Sequence, residues 1–222
     1  MKTKLLLFDF DGTLFNTSKG IHRAVNIVAE KKGLEPFTFE MVQSLIGHGL
    51  DDLIKKLDDE AAHKLGQLIE FREEFKEVYN GIALEESELY PGAIDYLKSW
   101  DGALAIVSNK GEKILKYLVQ ETELSQFDWA TVIGGDSLEQ KKPHPLPLKT
   151  AMEAAGFGEQ ETLLVGDGVP DVQGANAAKI PFIAARYGYA PESELIQNGC
   201  RFFIDSFSDL PEQIQLVDVL RN

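Results

Sequence analysis

The run Leu5-Leu6-Leu7-Phe8 stops on Asp9-Phe10-Asp11-Gly12-Thr13-Leu14, and this junction constrains the fold more than any other stretch of the chain. An apolar run this short suits one strand buried on both faces. Gly12 frees the backbone to turn sharply straight after it. Ligands of open parallel sheets bind beyond the carboxyl ends of the strands, so the strand delivers Asp9 and Asp11 to the place where chemistry is usually done. Two carboxylates that close repel unless a cation or a shared proton intervenes. The junction reads as a metal-assisted, carboxylate-centred site. An EF-hand also begins Asp-x-Asp, but its glycine belongs at position 6 and a glutamate at position 12; here the glycine is fourth and Gly20 stands twelfth.

Other apolar runs end in the same manner. Ala103–Val107 leads into Ser108-Asn109, Ala130–Ile133 into Gly134-Gly135-Asp136, and Leu163–Val165 into Gly166-Asp167-Gly168. Phe182–Ala185 and Phe202–Ile204 read as further strands, and helical stripes lie between them, such as Leu148, Ala151, Met152 and Ala155, or Ile114, Leu115 and Leu118. Strands alternating with helices predict an α/β fold with a Rossmann-like, doubly wound parallel sheet. From Phe15 to Glu88 the rhythm changes to at least three amphipathic helices with no convincing strand. Their stripes are Ile21, Val25 and Val28; Leu50, Leu53, Ile54 and Leu57; and Leu68, Phe71, Phe75 and Val78. The expected domains are a catalytic core, 1–14 with 89–222, and a helical cap, 15–88, inserted after the first strand as a lid over the site.

At 222 residues, 44% hydrophobic and 26% charged, the composition is that of an ordinary globular protein. No apolar stretch approaches the roughly 20 residues of a membrane span, and the short run after Lys2 and Lys4 is no signal peptide because Asp9 interrupts it. A net charge of −14 argues against nucleic acid and against anionic membranes as partners. The lone Cys200 permits no internal disulfide and fits a reducing cytoplasm. A monomer or homodimer acting on a small molecule is expected.

Three later segments offer groups for an anion and a cation. Ser108 and Asn109 precede a helix starting near Gly111, and a helix N-terminus favours anions. Lys141-Lys142-Pro143-His144-Pro145 holds a lysine pair on a stiff backbone, where one can pin a phosphate. Gly166-Asp167-Gly168-Val169-Pro170-Asp171 places two acids at a strand end; Asp167 suits a hard cation such as Mg²⁺, and Asp171 could equally be a first-turn helix acid. His22 and His63 are expected on the surface and His144 within its proline loop. The acidic runs near Asp58, Glu73 and Glu85 are expected as solvated faces, and Trp100, Trp129 and Cys200 as packing residues.

These four segments, in this order and each at a strand end, resemble the haloacid dehalogenase superfamily, and the resemblance covers essentially the whole core. Val132-Ile133-Gly134-Gly135-Asp136 running on to Lys142-Pro143-His144-Pro145, with Arg186-Tyr187-Gly188-Tyr189, resembles its phosphoglycolate phosphatase group. The resemblance implies a Mg²⁺-dependent phosphatase acting on a small phosphorylated metabolite. Asp9 would be the nucleophile and Asp11 the acid and base, with Mg²⁺ on Asp9, the Asp11 carbonyl and Asp167. Asp171 would orient metal waters or Lys142. Ser108, Asn109 and Lys142 would grip the phosphoryl oxygens, Thr13 would set the turn that places Asp11, and His48, in the Ile46-Gly47-His48-Gly49-Leu50 loop, would touch the substrate.

Several positions depart from that pattern. Relatives often carry Asp where Asn16 stands and Ser or Thr where Gly168 stands; neither removes a metal ligand. Some have a basic residue in place of Gln43, which bears on whether the substrate carries a carboxylate. Mutases resembling β-phosphoglucomutase carry a histidine where this chain has Ile21, and His22 is about 100° round the helix. A phosphomutase or an inorganic pyrophosphatase is the alternative within the superfamily. A phosphate-binding sensor or a receiver-like phosphoacceptor is the alternative outside enzymes, and the intact acid pair and the insertion speak against it.

Overall fold

The computed structural model describes residues 2–61, 63, 65, 66 and 68–221. In chain order the elements begin with β1 (Leu5–Phe8) and β2 (Phe15–Asn16), followed by four helices, α1 (Ser18–Lys31), α2 (Phe39–Ser44), α3 (Leu50–Glu60) and α4 (Leu68–Ile82). Then come β3 (Glu88–Leu89), α5 (Ala93–Ser99), β4 (Ala103–Val107), α6 (Glu112–Gln120) and β5 (Trp129–Ile133). The chain continues through α7 (Leu146–Ala155), β6 (Thr162–Gly166), α8 (Val169–Ala178) and β7 (Phe182–Ala185). It closes with α9 (Glu192–Gln197), β8 (Phe202–Ile204) and α10 (Leu210–Leu220). Pro147 and Pro170 sit in the first turns of α7 and α8, where a missing N–H leaves no helical bond unmade.

Among the described residues, six strands form one sheet in the order β5-β4-β1-β6-β7-β8, every pair parallel. This is the expected doubly wound sheet. β1 lies in its interior, with Phe8 in register with Ile106 of β4 and Val165 of β6. All four of its side chains are fully buried, because alternate residues face different helix layers. Leu6 and Phe8 join a core with Leu115 and Leu118 of α6 and Ile214 and Val217 of α10. Leu5 and Leu7 join another with Leu148 and Met152 of α7 and Val172 and Ala175 of α8.

The helical insertion has more structure than its sequence advertises. Besides the three expected helices it contains the short α2, and Phe15-Asn16 pairs antiparallel with Glu88-Leu89 where the chain leaves and re-enters the sheet domain. Two-residue strands have no periodicity to detect. On α4 the buried stripe is Phe71, Phe75 and Tyr79, one residue beyond the expected Val78, which is only partly buried. His22 is not a plain surface residue: it is half-buried, and its Nε2 lies 3.0 Å from the Phe37 carbonyl and 2.8 Å from Asn26 Nδ2. His63 is exposed beside Asp58, and His144 Nδ1 accepts from the Leu146 N–H at 3.1 Å, at the start of α7.

Because β1 is packed on both faces, Leu6→Ala is expected to lower unfolding free energy by about 2–5 kcal/mol, read from the midpoint of a urea melt.

Candidate functional site

The carboxyl ends of β1, β4 and β6 lie side by side, so the turns that follow them meet. Asp9, Asp167 and Asp171 each place a carboxylate oxygen within 4.8 Å of the others, all three buried. Two of the turns approach so closely that only glycine fits. Gly12 has φ +82, and a Cβ there or at Gly188 would overlap the Asp167 carboxylate. Asp167 itself is held by the Thr13 hydroxyl at 3.0 Å and the Tyr189 N–H at 2.8 Å. Thr13 therefore addresses Asp167 rather than open space.

Lys142 enters this cluster from the loop after β5, with its side chain only 1% exposed. Its Nζ donates to the Val107 carbonyl at 2.5 Å and to Asp171 Oδ1 at 2.6 Å, and it stands 3.0 Å from Asp9 Oδ1. The last approach is an ion pair without hydrogen-bond geometry. Asp9 Oδ1 therefore remains buried with no hydrogen-bond partner among the described residues. Asp171 is bound further by the Gly168 N–H at 2.9 Å.

These contacts fix the electrostatics. Burial, and then repulsion from Asp171, push the Asp9 carboxyl from 3.8 up to about 6, although Lys142 pulls the other way. Burial, with Asp9 and Asp171 nearby, raises Asp167 well above the ordinary carboxylate range. For Lys142 burial alone would favour the neutral amine, but Asp171 and Asp9 outweigh it and raise the pKa. Three buried acids against one buried lysine leave an excess of negative charge. An Asp9 oxygen that accepts no hydrogen bond, beside Asp167, suits a hard divalent cation. The donor set fits such an ion.

Asp11 points elsewhere. Its Oδ1 accepts from Thr17 Oγ1 at 2.7 Å and from Lys110 Nζ at 2.9 Å. Lys110 is buried and also donates to Tyr79 OH, on α4, at 2.8 Å. Burial works against its charge, yet Asp11 and Tyr79 raise its pKa. Neither Lys110 nor Tyr79 is among the residues expected from the sequence. The available signal was a third polar residue in the Ser108-Asn109-Lys110 turn and a hydroxyl on an otherwise apolar stripe.

A cavity of about 610 Å³ opens over Asp9, Asp11 and Ser108 and is walled on the far side by the helical insertion, including Gly47, Leu50 and Phe75. Asn109 spends both amide hydrogens, on the Gly47 carbonyl at 3.1 Å and the Lys142 carbonyl at 2.9 Å. Its side chain joins loops and has no donor left for a ligand. His48 turns its carbonyl to Lys141 Nζ at 2.7 Å, and Gly47 and Gly49, not its imidazole, line the cavity. Lys141 also pairs with Asp52 at 2.7 Å.

Against known proteins, the family described as haloacid dehalogenase-like hydrolase matches residues 6–185. A phosphoglycolate phosphatase of Chromobacterium violaceum is 32% identical over 213 residues, covering 93% of this chain and 94% of that protein. One of Pseudomonas fluorescens is 32% identical over 242 residues, with 99% and 85% coverage. Among solved structures, a predicted phosphoglycolate phosphatase of Haemophilus somnus 129PT superimposes with a TM-score of 0.87 at 27% identity, covering 96% of this chain and 98% of the other.

The acid cluster has a measurable consequence. Between about pH 4 and about pH 6 folded Asp9 keeps a proton that the unfolded chain has released, so stability falls as pH rises through that window. A divalent cation held by the ionised cluster would offset this. Mg²⁺ in place of EDTA should therefore raise the thermal midpoint more at about pH 7.5 than at about pH 5, by about 2.7 kcal/mol of stability at a hundredfold excess over its Kd. Equal shifts at both pH values would contradict this assignment.

Proposed function

Because the chain belongs to the haloacid dehalogenase-like hydrolases and is a phosphatase of that family, we propose that it is a Mg²⁺-dependent phosphomonoesterase acting through a phosphoryl group held on Asp9. The proposed substrate is a small ester of the 2-phosphoglycolate kind, after the names of its relatives. The observation that carries this reading is the Asp9 carboxylate: buried, facing the cavity, with one oxygen that accepts no hydrogen bond among the described residues.

Asp9, Asp167 and the main-chain carbonyl of Asp11 would hold Mg²⁺, which supplies the positive charge that lets a phosphate approach this acidic pocket. The attacking Asp9 oxygen forms a bond to phosphorus as the ester P–O bond breaks, and Asp11 gives its proton to the departing alcohol. Asp11 then takes a proton from water. That water attacks phosphorus, the bond to Asp9 breaks, and inorganic phosphate leaves. Lys142 stands beside the attacking carboxylate and is placed to meet the phosphoryl oxygens. Asp171 and the Val107 carbonyl aim Lys142, and Asp171 acts from behind the metal ligands. Ser108 and the main-chain amides at the end of β4 complete the phosphate cradle.

Residues 15–88 serve as the cap, with the paired strands at Phe15 and Glu88 as its connectors. Closure over the cavity keeps bulk water from competing with Asp9 for phosphorus in the first transfer, and reopening admits the water that the second transfer needs. Ile21, where related mutases carry histidine, lines the cavity, while His22 is tied to Phe37. This favours water over sugar as the final acceptor. The expected setting is the cytoplasm, as a monomer or homodimer; no helix among the described residues is long and apolar enough to cross a membrane.

Phosphate release from a panel containing 2-phosphoglycolate, sugar phosphates, nucleotides and pyrophosphate should require Mg²⁺ and vanish with EDTA. Asp9→Asn should abolish it, and Asp11→Asn should lower kcat about 100- to 10,000-fold for alkyl esters. Turnover surviving in Asp9→Asn would overturn the mechanism. Pyrophosphate as the best substrate would move the enzyme to the pyrophosphatases.

A further inference from the structure

We infer that Lys110 selects the substrate, binding a carboxylate carried on the alcohol half of the ester, one carbon from the ester oxygen. This rests on the phosphatase reading above.

An ammonium has three N–H donors. Lys110 uses two, on Asp11 Oδ1 at 2.9 Å and Tyr79 OH at 2.8 Å. Among the described residues its third meets no acceptor, and the side chain lines the cavity. Lys142 also makes two hydrogen bonds, to Val107 and Asp171, but its third side is closed by the ion pair with Asp9 and it is not among the residues lining the cavity. A buried cation with an unused donor, in a cavity walled partly by Ile21, Leu50 and Phe75, holds an anion more strongly than one in water.

The position of Lys110 defines what that anion is. Asp11 must reach the ester oxygen to protonate it, and Lys110 touches Asp11. Whatever Lys110 binds therefore lies next to the ester oxygen, on the side away from phosphorus. In the phosphate ester of a 2-hydroxy acid, a carboxylate stands in that place. Arg72, Lys76 and Lys141 also line the cavity, but each pairs with an acid of its own, Asp51, Glu73 and Asp52, and each side chain is a third or more exposed, against 5% for Lys110. Lys113 is exposed at the mouth. Tyr79 keeps the ammonium aimed, with the ring centroid 4.6 Å from Nζ.

The test compares 2-phosphoglycolate with 2-hydroxyethyl phosphate, which replaces the carboxylate by an uncharged CH₂OH on the same skeleton. Wild type should prefer the former in kcat/KM by about 10- to 100-fold, the worth of one charge-assisted hydrogen bond. In Lys110→Met both rates fall, because Asp11 loses a partner, but the ratio between the substrates collapses toward one, chiefly through KM. Lys110→Arg, which keeps the charge, should retain a ratio above one. An unchanged ratio in Lys110→Met would overturn the inference and leave Lys110 as a positioning residue for Asp11. Wild type alone decides if the variant does not fold: equal efficiency on both esters overturns the inference only. Turnover of neither ester while another phosphomonoester of the panel is hydrolysed overturns this inference alone, and release of phosphate from no member of the panel overturns the phosphatase reading with it.

Discussion

Mutual repulsion among Asp9, Asp167 and Asp171 is the constraint around which the site is organised. Carboxylates this close and this buried cannot all ionise without compensation. The fold supplies part of it through Lys142, whose ammonium is enclosed by the acids it neutralises. The remainder is left for a cation. Nothing in the interior of β1, β4 and β6 demands this arrangement. It follows from the adjacent ends of β1 and β6, which carry the acids, with Gly12 and Gly188 allowing the backbone to close around Asp167. A charge cluster of this kind opposes folding, and the two apolar layers about β1 offset it.

The two buried lysines divide the pocket. On the proposed mechanism Lys142 faces the place where phosphorus is attacked, and Lys110 the place where the alcohol departs. Lys110 also joins the two halves of the molecule, since it bonds Asp11 on the sheet and Tyr79 on α4. Asn109 and Lys141 add further links, to the Gly47 and His48 carbonyls. These polar contacts, together with a core that runs unbroken from α6 and α10 into α1 and α4, seat the helical insertion over the acids. On that mechanism the groups that choose the alcohol come from both halves, and the groups that handle phosphorus from the sheet alone.

Much of this was legible in the sequence because its signals are local. Short apolar runs ending on Asp9, Ser108 and Asp167 announce buried parallel strands and the acids at their tips, and the structure brings those residues together. What stayed hidden depends on closures between distant segments. The Tyr189 N–H on Asp167, the Thr17 hydroxyl on Asp11 and the Asn109 amide on Gly47 leave no periodic trace. Asn109 reads as a phosphate ligand from its place in the turn, but only the fold shows that its amide is committed to two carbonyls. Lys110 is the converse: an unremarked neighbour of the Ser-Asn pair that the fold buries against Asp11. His22 looked exposed because its partner, the Phe37 carbonyl, lies fifteen residues away.

The most direct test is to catch the phosphoryl group on the enzyme. Asp11→Asn, mixed with Mg²⁺ and acetyl phosphate, whose leaving group needs no proton, should accumulate the covalent intermediate because the base for its hydrolysis is gone. Acid quenching and mass spectrometry of the digested protein should find one added phosphoryl group on the peptide carrying Asp9. Turnover of acetyl phosphate with that peptide unmodified, or with the label on another residue, would contradict the account.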